Sequence, residues 1–186
     1  TTVASSYLQS EGVNRVLLLC GDTVSKHCSP LDRGLTMLSA DAGSAILMEK
    51  DETVKDISKF KLRTIGESYR SLIVPAGGYR HRERSFTRIE REPGIVRSDF
   101  DGYMYGAEVF RFSITEVPKL IKNFYQECNV NPDVIDSFFM HQANLFILKN
   151  IAKRSGISEA KMPISIDRYG NTGAATVPLT ICDHYA

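Results

Sequence analysis

The sequence predicts an α/β fold, and three observations carry that prediction. Short apolar runs bounded by turn residues, from Arg15 to Cys20 and from Ala42 to Glu49, read as strands. Val117, Leu120, Ile121 and Phe124 recur at i, i+3, i+4 and i+7, the spacing of one buried helix face. The run NLFILKNIAKRSG sets Leu145, Leu148 and Ala152 on one side. It ends in Lys153, Arg154 and Gly156, which suit the negative end and the left-handed cap of a helix. Strands that alternate with helices favour a sheet with helices packed on its faces.

Taken in chain order, the opening TTVASSYLQSEG reads as the tail of a helix with a turn at Gly12. The strand that follows is apolar enough to be buried, which makes Cys20 an inert core thiol. Pro30, Gly34 and Asp41-Ala42-Gly43 mark an irregular connection into the second strand, whose small first residues allow close backbone approach. KFKLRT, Lys59 to Thr64, alternates charge with Phe60, Leu62 and Thr64, as in a half-exposed strand. The Arg- and Glu-rich stretch that follows, between Gly77-Gly78 and Pro93-Gly94, reads as a solvated loop or small lid; the sharper reading is a cationic docking surface. Pro118 either kinks one long helix or starts a second one at its first turn. Asn131-Pro132 makes a turn before a strand ending at Met140. Ile164 to Asp167 reads as a further short strand, and RYGNTGAATVPL as a loop of small residues leading into a last helix.

Composition excludes several function classes. The chain has 186 residues, 42% hydrophobic and 24% charged, which suits one globular domain or two small halves around a shared core. A formal net charge of +1 gives no extended basic surface for nucleic acid. No apolar run approaches the roughly 20 residues of a membrane span. Cys20, Cys28, Cys128 and Cys182 are scattered without CxxC spacing, as expected of reduced thiols in the cytoplasm. Cys28 beside His27 lacks a second ligand pair, so no metal site is expected there.

The stretch FFMHQANLF carries the chemistry. His141 follows an apolar run and precedes a helix, and Asn171 lies in a Gly-rich loop ahead of another helix. If their strands run parallel, both side chains reach the same sheet edge. An imidazole N–H and an amide N–H could then converge on one oxygen and stabilise negative charge developing on a thioester or ester carbonyl. Plainer roles stay open for each residue. His141 could be a structural hydrogen-bonding group, Asn171 a turn residue, and Asn144 the N-cap of the next helix. There is no GxSxG elbow, Walker loop, GxGxxG or HExxH.

MHQANLFILKNIAKRSGI and IDRYGNTGAATVPL, with DRG at 32–34 and ADAGSAILM at 40–48, resemble the signature segments of β-ketoacyl-acyl carrier protein synthase III. The resemblance implies a layered α/β/α/β/α thiolase-like fold, incomplete in this chain. Residues 1–52 would be the remainder of the N-terminal half and 53–186 a truncated C-terminal half. It implies a Cys-His-Asn site in which His141 and Asn171 are catalytic. The family's nucleophilic Cys falls just upstream of the stretch matching Thr1, and its late Gly-rich segment beyond Ala186, as in an internal fragment of a longer enzyme.

The implied chemistry is transfer of an acyl group from coenzyme A to the Cys, followed by attack of an enolate formed when malonyl-carrier protein loses carbon dioxide. Arg33 matches a residue that contacts the coenzyme A nucleotide, and Asn144 one near the pantetheine. Gln142, Ala143 and Phe146 fall where the carrier protein docks, with Phe146 in place of the usual Arg. Ser39 stands where a bulky aromatic usually closes the acyl pocket, so a longer or branched primer is expected. The resemblance implies no metal and no cofactor, since the coenzyme A thioester is a substrate, and a cytoplasmic homodimer. Two other readings remain: a specialised relative with a different acceptor, and a catalytically silent subunit that binds thioesters.

Overall fold

Alternation of burial organises the first elements of the computed structural model, which describes residues 1–51, 53, 59–82 and 85–186. After helix α1 (Thr2–Leu8), β1 (Arg15–Thr23) pairs antiparallel with β2 (Asp41–Glu49), Arg15 opposite Glu49 and Thr23 opposite Asp41. An Arg15–Glu49 ion pair of 2.6 Å closes the open end. Exposure alternates along β2, and Leu17, Leu19 and Leu47 stand on the open face. The expectation of a buried strand is therefore corrected: one face is covered among the described residues, and Cys20 is only half-buried. An uninterrupted apolar run suits burial on both faces, but it does not require it.

Between these strands Asp32 caps the short helix α2 (Arg33–Thr36), accepting from the N–H groups of Gly34 and Leu35. Further on, β3 (Leu72–Ile73) pairs with β6 (Tyr103–Met104), and β4 (Ile89–Glu92) with β5 (Ile95–Arg97) through a turn at Gly94, φ 76°. Among the described residues all three two-stranded sheets are antiparallel.

The Arg-rich stretch runs as exposed loop through residues 79–82 and 85–88 and ends in a charge-paired hairpin, with Glu83 and Arg84 outside the described residues. Arg88 forks onto Asp101 at 3.0 and 2.9 Å, Arg91 pairs with Asp99 at 3.0 Å, and Phe86 stacks on Phe100. Asp101 is 4% exposed, and the Arg88 guanidinium, with help from the N–H and hydroxyl of Ser98, holds its pKa down at about 2. A carboxylate whose folded pKa lies below its unfolded value stabilises above the unfolded value and loses that contribution as pH falls through the folded one. Wild type should lose roughly 1–2 kcal/mol more than Asp101→Asn between about pH 4 and pH 2, after allowing for solvent screening of half-exposed Arg88. Urea unfolding of both proteins across that range measures the difference.

Lys59–Thr64 is not a strand, and its phase is opposite to expectation. Lys61 pairs with Glu127 at 2.5 Å and Arg63 with Glu116 at 3.1 Å, while Lys59 donates to the Cys128 carbonyl. These contacts turn the charged residues toward helix α3 (Gly106–Glu127) and leave Leu62 84% exposed. The predicted boundary at 52/53 adjoins residues outside the described set.

Helix α3 runs through buried Pro118 as one element. Its Ile121 packs on a core of Leu148 and Ala152 from α4 (Leu145–Ser155), with Ile157, Met162, Phe138, Met140 and Ile164. Asn144 and Gly156, φ 73°, bound α4 as the sequence predicts. Two predicted strands are corrected. Residues 135–140 run without a ladder partner among the described residues, with Phe138 N–H donating to the Lys161 carbonyl at 2.7 Å. Ile164–Asp167 gives way to the short helix α5 (Ile166–Tyr169), ended by Gly170 at φ 69°. Helix α6 (Thr176–Tyr185) follows, tied to α5 by the Arg168–Asp183 ion pair.

Candidate active site

Asn171 is placed by backbone, not by a strand end. Its N–H donates to the Leu38 carbonyl and its carbonyl accepts from Ala40 N–H, both at 2.8 Å, forming an isolated parallel bridge with Ser39. Gly170 makes this approach feasible. It takes a positive φ, and a Cβ there would lie 3.2 Å from both the Leu38 carbonyl oxygen and the Ala40 Cβ. The Asn171 Oδ1 accepts from Gly173 N–H at 3.1 Å, which leaves the NH2 end as the group offered outward.

His141 is held by its neighbours. Gln142, placed at the carrier-protein surface by the resemblance, is instead 0% exposed. Its Nε2 donates to the Met140 carbonyl at 2.9 Å and its Oε1 accepts from Ser165 N–H at 3.1 Å. A carboxamide beside an unpaired extended segment satisfies backbone groups that a sheet would otherwise pair. His141 Nδ1 lies 2.6 Å from the Thr176 hydroxyl. His141 keeps exposed surface, yet partial desolvation of its ring pushes its pKa below the usual imidazole value, which favours the neutral ring.

Both residues line one cavity of about 530 Å³. Leu35, Leu38, Val109, Phe110 and Ile147 supply apolar wall, and Ser39, Ala143 and Asn144 lie along it. Asn144 therefore has two parts to play: its Oδ1 caps α4 by accepting from Phe146 and Ile147 N–H, and the residue also borders the cavity. Ala143 is half-buried and belongs to this wall, not to an open surface. Phe146 is exposed at the rim and stacks on Phe110 with ring centroids 5.5 Å apart.

Arg33 is exposed at the start of α2 and is not among the lining residues, although Leu35, two residues on, is. Neither nearby carboxylate takes it as an ordinary loop salt bridge: Asp32 faces Arg97, and Asp41 accepts from Ser25. None of the four cysteines lines the cavity. Among the described residues no cluster of His, Cys, Asp or Glu could hold a metal, and the Cys28 thiol bonds to the Val24 carbonyl. Sequence reasoning missed Thr176 and Glu108, a wall carboxylate that accepts from the Ser71 hydroxyl. Their partners lie 35 and 37 residues away, so no local spacing announces them.

The fold that brings these two residues to one cavity matches a known architecture. A crystal structure of 3-oxoacyl-(acyl-carrier-protein) synthase III superposes with a TM-score of 0.91 at 33% identity, over 99% of this chain and 56% of that one. The corresponding synthase from Burkholderia xenovorans LB400 gives 0.79 at 33% identity, over 97% and 50%. The class is thus the proteins of thiolase-like α/β fold. Residues 1–66 match the model of 3-oxoacyl-[acyl-carrier-protein] synthase III and residues 125–186 that of its C-terminal part, and the chain belongs to this family. The β-ketoacyl-[acyl-carrier-protein] synthase III of Porphyra umbilicalis is 32% identical over 96% of this chain and 53% of its own length, and that of Gloeobacter violaceus 31% over 96% and 52%. The chain spans about half the length of the curated relatives it matches.

Proposed function

We propose that the protein carrying this chain is an acyltransferase that condenses an acyl-coenzyme A primer with malonyl-acyl carrier protein, the step that initiates fatty acid synthesis. The observation that carries this reading is the shared cavity of His141 and Asn171. As the malonyl C–C bond breaks, carbon dioxide leaves and its electron pair becomes an enolate. The imidazole and carboxamide N–H groups donate to the enolate oxygen, in apolar surroundings where such bonds count for most. The enolate carbon then attacks the acyl thioester, the C–S bond breaks, and the thiolate departs with that pair.

Coenzyme A enters as substrate, with no resident cofactor. Arg33 is the phosphate contact, for which a guanidinium fork is suited, and Asn144 borders the pantetheine. The exposed ring of Phe146 takes part in carrier-protein docking. Ser39 leaves room on the cavity wall for a longer or branched primer. We place the protein in the cytoplasm as a homodimer; the described residues contain no helix long and apolar enough to cross a membrane.

A second reading, a thioester-binding subunit without turnover, is motivated by the absence of Cys20, Cys28, Cys128 and Cys182 from the cavity wall. One assay separates them. The protein is mixed with malonyl-carrier protein, or malonyl-coenzyme A, and acyl-coenzyme A primers of graded length, and carbon dioxide and condensed product are followed. The first reading expects both, with primers longer than acetyl used well. Thioester binding without carbon dioxide release overturns it in favour of the second.

A further inference from the structure

Thr176 stands behind the imidazole, 2% exposed, with a single hydroxyl proton and two neighbours that could take it. His141 Nδ1 is 2.6 Å from Oγ1, and the Gly173 carbonyl is 3.0 Å away. The two choices have opposite consequences at the cavity. If the hydroxyl donates to Gly173, Nδ1 must carry the proton, and a neutral ring then turns a bare Nε2 lone pair toward the site. If the hydroxyl donates to Nδ1, the proton sits on Nε2 and the ring is a donor.

The Gly173 carbonyl already accepts the backbone N–H of Thr176, so it loses little when the hydroxyl turns away. Nδ1 is also the nearer partner. We infer that Thr176 donates to Nδ1 of His141 and so holds the imidazole as the Nε2–H tautomer, making Thr176 a positioning residue for the reaction proposed above. Its usefulness rests on that reaction; its geometry does not.

Thr176 is itself braced. The Thr180 hydroxyl donates to the Thr176 carbonyl at 2.7 Å, and Thr180 Oγ1 shares a further 2.7 Å bond with the Ser165 hydroxyl. Ser165 N–H in turn donates to Gln142, the residue that follows His141. The bonds therefore close a ring: His141, Thr176, Thr180, Ser165, Gln142 and back along the chain. A ring of this kind fixes the hydroxyl's position, which a lone threonine on a loop would not do.

The test is 15N NMR of the protein labelled at histidine, with the His141 signals identified by their loss in His141→Gln. Wild type is expected to show a protonated Nε2 and a bare Nδ1 near pH 7, and Thr176→Ser the same. Thr176→Val, which keeps shape and removes the hydroxyl, is expected to mix the tautomers and to lower kcat for malonyl decarboxylation by about 10-fold or more with KM unchanged. A protonated Nδ1 in the wild type overturns the inference without need of any variant. So does Thr176→Val with the wild-type tautomer and kcat. An Nε2–H signal in a protein that releases no carbon dioxide from malonyl thioesters upholds the Thr176 contact and sinks the proposed reaction instead.

Discussion

Replacing either His141 or Asn171 by alanine is expected to slow malonyl decarboxylation about 100- to 1000-fold, the usual effect of losing one preorganised donor from an oxyanion site. The double variant should cost clearly less than the product of the two single losses. The reason is geometric. The Asn171 NH2 is aimed by the bond from Gly173 N–H to its Oδ1 and by two backbone bonds to residues 38 and 40. The imidazole is aimed by Thr176. With one donor gone, the enolate oxygen is held at a single point and shifts away from the other, so the two act as a unit. The loss should fall on kcat, because the charge exists only as the C–C bond breaks. Strictly additive losses, or losses confined to KM, would mean that the two groups do not share one oxygen. Measuring kcat and KM for all four proteins with one malonyl thioester decides this.

Arg97→Leu is expected to destabilise the fold by about 3 kcal/mol or more, the scale for stripping one partner from a buried ion pair. The Arg97 side chain is 8% exposed. Its guanidinium lies 2.9 Å from Glu92, 3.8 Å from Asp32 and 4.1 Å above the Tyr103 ring. Asp32 is as buried as Arg97 and would keep only its bonds to Gly34 and Leu35 N–H. Lysine should not rescue, since a compact ammonium cannot fork between two carboxylates while stacking on a ring. Glu92→Gln, at the exposed end, should cost under about 1 kcal/mol. Chemical denaturation of the three variants checks the ranking, and equal costs for Arg97→Leu and Glu92→Gln would contradict it. Asp32 also caps the helix that carries Leu35 to the cavity, so Arg97 connects the β4–β5 hairpin to the site wall.

What was legible in the sequence was mostly local. Helix α4 announced both ends, because Asn144 and Gly156 act within one turn of their own positions. The β1–β2 pair was visible as apolar runs, but its open face was not, since covering a strand depends on distant chain. Residues 135–140 and 164–167 misled for a related reason: apolar residues permit a strand, whereas a ladder partner makes one. At Lys59–Thr64 the alternation was real and its phase was not, because Glu116 and Glu127 draw the cations inward. His141 and Asn171 stood out by position beside helix starts, and both reach the cavity. Gln142 next door was misplaced. A polar side chain in a motif suggests surface until the backbone groups it satisfies, at Met140 and Ser165, are known. Arg97 was passed over because three of its partners are acidic or aromatic residues that gather only in the folded chain.

The parallel bridge between Ser39 and Asn171 makes one short piece of main chain serve two purposes. It forms part of the wall that limits the guest, and it anchors the carboxamide. A bulkier residue at 39, or any side chain at 170, would lean on the same backbone that sets the amide's aim. Under the proposed condensation, size selection and turnover are mechanically linked, and resizing the chamber by way of that wall is expected also to retune its speed.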